Sequence, residues 1–229
     1  MTFLELCQRV RLEAGLSGDG PSAIAGQTGI NARLITWVRQ AYQDIINRRE
    51  WDFLWHSLAI TVSAGRGELD LAGFYGLTDV GRIIADSVTA DGKPVAWQPD
   101  YRAVIRRQQG EPAGVTTQWS RLPNGLLVIA PLPAAAMGVA AEYYRSTHAL
   151  LNDASQPLLP VEYRMAIVWR AVMHYAAHDE APALWQNANQ QFSDIIMQLE
   201  RTQREQLTRA QTPLDGIPQG ADWQYHSLI

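Results

Sequence analysis

Leu34, Ile35, Val38, Ala41, Tyr42, Ile45 and Ile46 recur at i, i+1, i+4, i+7, i+8, i+11 and i+12. Arg33, Thr36, Arg39, Gln40, Gln43, Asp44, Asn47 and Arg48 fill the gaps. Only a helix of 3.6 residues per turn puts the first set on one face and the second on the other. After Trp55 the rhythm drops toward two. "LAITVSAG", "GELDLAG", "VGRIIADSVTADGKPVAW", "GVTTQWSRLPNGLLVIAP" and "GVAAEYYRS" are short, β-branched or alternating, and bounded by turn residues. From Pro160 the long helical rhythm returns. Helices, strands, then helices in this order make the fold class α+β. The expected architecture is a helical bundle of residues 1–56 and 157–210, an antiparallel β insertion at 57–150, and an extended C-terminal tail at 211–229.

Local signals set the ends of these elements. Thr2 and Glu5 form a capping box, each side chain reaching the other's free N–H. Phe3, Leu6, Cys7, Val10 and Ala14 follow on one face, and Gly15 can stop the helix. "GLSGDGPSAIAGQTG" is too glycine-rich for a regular element. Asn31 is the expected N-cap of the striped helix. Asp91-Gly92 signals a two-residue hairpin, because both central positions of a type I′ turn take φ > 0. Pro123-Asn124-Gly125 marks a second turn. A short helix is expected at about 100–109.

"VEYRMAIVWRAVMHYAAH" is apolar on most sides, which places it centrally, with Pro160 as its first residue. Asp179 is expected to cap the next helix. Leu184, Trp185, Ala188, Phe192, Ile195, Ile196 and Leu199 form that helix's buried face, and "ERTQREQLTRAQ" is its polar extension. The segment "TPLDGIPQGADWQYHSLI" has two prolines and two glycines and is no helix, yet it carries Trp223, Tyr225, Leu228 and Ile229.

Composition narrows the function. The 229 residues are 47% hydrophobic and 18% charged, in the globular range. No apolar run reaches the roughly 20 residues of a membrane helix. The one cysteine rules out an internal disulfide framework. A net charge of −4 argues against a general nucleic-acid coat.

Catalytic motifs are scarce. There is no G-x-S-x-G and no Walker loop. His174 and His178 stand at i, i+4, a zinc-ligand spacing, with Asp179 or Glu180 as a third donor; this is the basis of a metal-dependent hydrolase reading. Against it, Tyr175 occupies the glutamate position of H-E-x-x-H, and Arg170 puts a fixed positive charge in the same row. The competing reading is structural: His178 favours a helix C-terminus and His174 is partly buried. Arg102, Arg106 and Arg107 share a helix face that either meets solvent or contacts an acidic partner. DNA binding through them would make the chain a packaging accessory factor. "RREWDFLW" places Trp51, Phe53 and Trp55 where the helices give way to strands.

The opening 55 residues resemble tailed-bacteriophage head-to-tail adaptors, also called connectors or tail accessory factors. The resemblance lies in L-C-Q-R-x-R-x-E-x-G (Leu6 to Gly15, with Cys7), in G-Q-T-G (Gly26 to Gly29), and in W-V-x-Q-A-[WY]-x-D-I (Trp37 to Ile45) running on to W-D-F (Trp51 to Phe53). It implies a non-enzymatic virion protein at the head-tail junction, made in the host cytoplasm, with no cofactor and no bound metal. Its implied partners are the portal, other copies of itself in a ring usually of twelve, and the next tail protein. DNA would pass through the ring without sequence-specific binding, and no membrane is involved. The resemblance further implies that the tail docks on the portal through Trp223, Tyr225, Leu228 and Ile229. Arg102, Arg106, Arg201 and Arg204 are then candidate contacts with a neighbouring subunit or partner.

Overall fold

The structure is a computed structural model that describes residues 1–211 except 19, 147 and 148, with side chains up to residue 203. The tail residues Trp223, Tyr225, Leu228 and Ile229 lie outside the described residues.

The capping box at Thr2 and Glu5 opens α1 (Phe3–Glu13), and Gly15, with φ +69°, follows its end. Helix α2 (Gly29–Ile46) buries the full stripe from Leu34 to Ile46. It starts earlier than expected. Thr28 is its N-cap, and Asn31 sits inside the first turn, accepting a hydrogen bond from Arg11 Nη1 at 2.9 Å. Asn31 is thus claimed by a residue twenty positions away, which no local rule anticipates.

Helix α4 (Met165–His178) packs against α1, α2 and α5 (Pro182–Gln211). Its buried residues go almost round the helix: Ala166, Ile167, Val168, Ala171, Val172, Met173, Tyr175 and Ala176. Pro160 does not open it. It precedes a 3-10 turn, Val161–Tyr163, and α4 begins after Arg164. Nor does Asp179 cap α5. Asp179 ends α4, its carboxylate accepts the Tyr175 hydroxyl at 3.0 Å, and Glu180 adopts a left-handed φ of +52°. The turned chain then enters α5 at Pro182, where a missing N–H costs nothing. Trp185, expected on the buried face of α5, is 40% exposed.

These helices share one core with Trp51, Leu54, Leu150 and Leu159. Burying each Leu, Ile or Val there stabilises by roughly 1.5–3 kcal/mol. Residues 149–160 form a strap over this core. Ile24 N–H donates to Asp153 Oδ1 at 2.7 Å, and Phe3 N–H donates to the Ser155 carbonyl at 2.8 Å.

The strands form two sheets over a second core. In the first, β1 (Trp55–Val62), β9 (Met137–Arg145), β4 (Thr89–Ala90) and β5 (Lys93–Pro94) lie in that order, with β3 (Val80–Ile83) also on β9. In the second the order is β2 (Glu68–Leu69), β8 (Leu127–Ala130), β7 (Gln118–Arg121) and β6 (Ala96–Trp97). Pairing is antiparallel except at β6–β7, which is parallel. The loop carrying α3 (Tyr101–Gly110) makes the crossover that a parallel pair needs.

Strand β9 alternates strictly: Met137, Val139, Ala141 and Tyr143 face the sheet core. Strand β8 is buried on both faces. Leu127 and Ile129 join the core between the sheets, while Val128 and Ala130 pack under Val104 of α3. The two signalled turns form: Asp91 and Gly92 both take positive φ, and Gly125 turns β7 into β8 at φ +90°.

Candidate functional site

Residues 49–55 join the helical core to the sheets. Trp51 is fully buried, and its indole N–H donates to the Ile45 carbonyl at 2.9 Å. Phe53 stacks on it at 5.6 Å with ring planes 19° apart, and the Arg49 guanidinium lies 5.2 Å from its ring. Asp52 N–H donates to Gln203 Oε1 at 2.7 Å, which fastens this turn to α5. Trp55 opens β1, is 46% exposed, and donates to Glu142 at 3.2 Å. Arg82 of β3 closes the junction through an ion pair to Glu50. The three junction aromatics therefore differ in kind: Trp51 is core, Phe53 its half-buried partner, Trp55 surface.

Between α2 and α4 runs a row of polar groups. Asp44 Oδ2 accepts Arg170 Nε and Nη2 at 2.8 Å each and lies 3.3 Å from His174 Nε2. His178 goes elsewhere: it contacts Arg33 and packs on Trp37, 5.6 Å between ring centroids. Trp37 also meets the edge of Tyr175 at 5.9 Å. Each histidine of the H-x-x-x-H pair is thus taken up by a different group on α2, and two of the neighbours are arginines. Among the described residues no cluster of three or more His, Cys, Asp or Glu is placed to hold a metal ion.

Burial, then the charge of Arg170, lowers the His174 pKa below its ordinary 6.5, outweighing the pull of Asp44. Burial raises the pKa of Asp44, but hydrogen bonds from Arg170 and Gln40 and the charges of Arg170 and His174 bring it net below its ordinary 3.8. Both groups have folded-state values below their unfolded ones. The stability they confer is present above the unfolded values and is lost as pH falls through the folded ones. Unfolding titrations should show stability dropping below about pH 6.5 and again below about pH 4. His174→Gln should flatten the first step and leave the second. An unchanged first step in that variant would assign it to another group.

Cys7 is fully buried against the helices. Burial pushes its thiol up to about 12, with Arg39 pulling weakly the other way. A thiolate is the reactive species, so a disulfide reagent at pH 8 should leave the native thiol unmodified and label it fully in denaturant. Rapid labelling of the native protein would show that α1 opens.

The arginines of α3 do not form one free patch. Arg107 is held bidentately by Glu111 at 2.7 and 2.9 Å, Arg106 pairs with Asp100 at 3.3 Å, and Arg102 lies over Tyr101. Arg102 and Arg106 are exposed, as is Arg201 on α5; the Arg204 side chain lies outside the described residues. Sequence reasoning passed over Arg164 and put Arg39 only on the polar side of α2. Arg164 is nearly buried and donates to three carbonyls, and Arg39 donates to the Leu150 carbonyl at 3.0 Å while covering Phe3. An arginine beside an apolar run was the only signal, and it is a weak one.

The family model described as SU10 adaptor protein matches residues 1–215, and the chain belongs to this family of bacteriophage head-to-tail adaptors. No curated protein matches the chain. No helix among the described residues is long and apolar enough to cross a membrane.

Proposed function

We propose that this protein assembles as a ring of twelve copies beneath the portal, extends the DNA channel and presents the platform for the next tail protein. The observation that carries this reading is the family match over residues 1–215. Two features suit it. Trp185, Leu151, Val161 and Met197 expose apolar surface on the helical part, available to neighbouring copies. The net charge of −4 gives DNA little to adhere to in passage. In this reading the 1–56 and 157–210 segments are the body, the strands at 57–150 the insertion, and Trp223, Tyr225, Leu228 and Ile229 the anchors on the portal. Arg102, Arg106, Arg201 and Arg204 contact neighbours. The role is non-enzymatic, in the virion.

The test is co-sedimentation with the portal of the same phage, followed by imaging of the complex. A ring stacked on the portal is expected, and a chain ending at Gln211 should lose binding while keeping its fold. A folded chain that never sediments with an intact portal would end this reading; undiminished binding by the shortened chain would end the tail-docking part alone.

A further inference from the structure

Most sheet edges among the described residues are closed to other chains. Strands β2, β5 and β6 have two residues each, and β5 consists of Lys93 and Pro94. Strand β3 is interrupted by a register shift and carries Arg82. Short length, charge, proline and irregularity keep an edge from templating another strand. Strand β1 has none of these guards. It runs eight residues, Trp55–Val62, without Asp, Glu, Lys, Arg or Pro and in unbroken register with β9. Among the described residues no strand pairs along its other edge. About half of its backbone N–H and C=O groups point that way.

We infer that this edge pairs with the same edge of a second copy, antiparallel and about a two-fold axis. Three observations select this occupant. First, among the described edges only β1 offers a full row of groups for β1 to bond, so the strand of this protein that can complete it is another β1. Second, the pleat supplies a register. Leu58 and Val62 are buried in the sheet core and Ile60 packs against it, while Ser57, Ala59 and Thr61 are exposed. Facing residues share a face, so a core residue must meet a core residue. With Ala59 on the axis, Leu58 faces the partner's Ile60 and Ser57 faces the partner's Thr61. The apolar and polar layers both run on across the contact, and no charge opposes a like charge. A slip of one residue would set Leu58 against an outward side chain. Third, each end of β1 carries an exposed aromatic. Trp55 opens the strand and is 46% exposed. Phe74, 60% exposed, lies 3.6 Å from the guanidinium of Arg66, four residues past Val62. Antiparallel pairing sets the start of each strand beside the end of the other, where Trp55 of one copy gains the Arg66–Phe74 pair of the other as neighbour. The paired edges alone are small beside the roughly 1,200 Å² of a stable interface. Two tryptophans and two phenylalanines add area, at roughly 150–250 Å² for each such ring fully buried.

A two-fold contact closes on itself and cannot be repeated round a ring. The pair is the form of the free protein, and neighbours in a ring meet through other surfaces.

Sedimentation of the full chain at tens of micromolar should show a species of twice 25.5 kDa. Ala59→Lys sets two ammonium groups on the axis and should weaken the pair at least ten-fold; Ala59 is exposed, so the fold is kept. Cysteines then read the register. Ala59→Cys should oxidise to a linked dimer, because facing Cα atoms lie about 4.5–5.5 Å apart, within disulfide reach. Thr61→Cys should not, because its equivalent across the axis stands four residues along, about 13 Å away. Cys7 is fully buried and stays out of the reaction. A monomer at these concentrations, equal linking of the two cysteine variants, or a dimer that Ala59→Lys leaves intact overturns the inference. A ring on the portal from a free protein that is monomeric would sink the pair and keep the adaptor reading.

Discussion

Trp51→Ala should lower the free energy of unfolding by about 3–5 kcal/mol, the range for emptying a buried aromatic site. The indole is fully buried, stacks with Phe53 and lies 5.2 Å from the Arg49 guanidinium. Its loss opens a cavity at the place where α2, α5 and β1 are tied, and it strips the Ile45 carbonyl of its partner. Trp51→Phe separates the two effects. It restores most of the volume and leaves the carbonyl unpaired, which costs about 1–3 kcal/mol. Trp55→Ala is the control, because Trp55 is half exposed; surface changes of that kind stay within about 1 kcal/mol. Denaturant midpoints at constant m-value read all three. Equal losses at Trp51 and Trp55 would contradict the placement of the core at this junction.

Arg164→Met should cost about 2–4 kcal/mol, from hydrogen bonds of a charged donor that are each worth about 1.5–3 kcal/mol but do not add. Arg164 is 8% exposed and donates through Nε to Leu159 at 3.1 Å, through Nη1 to Met1 at 3.1 Å and through Nη2 to Pro157 at 3.2 Å. It thereby closes the first residue and the strap at 157–159 onto the start of α4. Arg164→Lys should fall between, since an ammonium on a flexible stem cannot reach three carbonyls set around a planar fork. Hydrogen exchange near residues 3 and 4 gives a second reading, because those amides bond the strap carbonyls of Ser155 and Asp153. A loss below about 1 kcal/mol, with exchange there unchanged, would show the strap held by Leu150 and Leu159 alone.

The sequence made much of this legible because its strongest signals are local. The α2 stripe, the Thr2–Glu5 box, the Asp91-Gly92 turn and the α3 helix each depend on residues within a few positions, and each formed. Of the caps that failed, Asn31 had a distant competitor and Asp179 a neighbour one turn away. Asn31 was drawn to Arg11 and so is not a cap. Asp179 was claimed by Tyr175 at the end of α4, and the left-handed Glu180 put the next helix start at Pro182. The zinc spacing of His174 and His178 was real on the helix, but Asp44 took one histidine and Trp37 with Arg33 the other. The adaptor family was legible in the first quarter of the chain, in motifs around Cys7, Trp37 and Trp51, and the family match extends over residues 1–215.

What the sequence alone determined was the identity and order of the elements: helical period at both ends, strand period between, turns where glycine, asparagine and aspartate permit them. Side-chain period and turn conformation are properties of a few consecutive residues, so they can be read without the fold. Tertiary structure decided what met across the chain. Residues 55–62 pair with 137–144, β6 runs parallel to β7 across α3, and Arg164 gathers carbonyls from Met1, Pro157 and Leu159. It also left β1 as the one long, unguarded edge among the described residues. Such partnerships depend on the competition of every buried polar group and strand edge for a mate, and that competition is resolved only when the whole chain is packed.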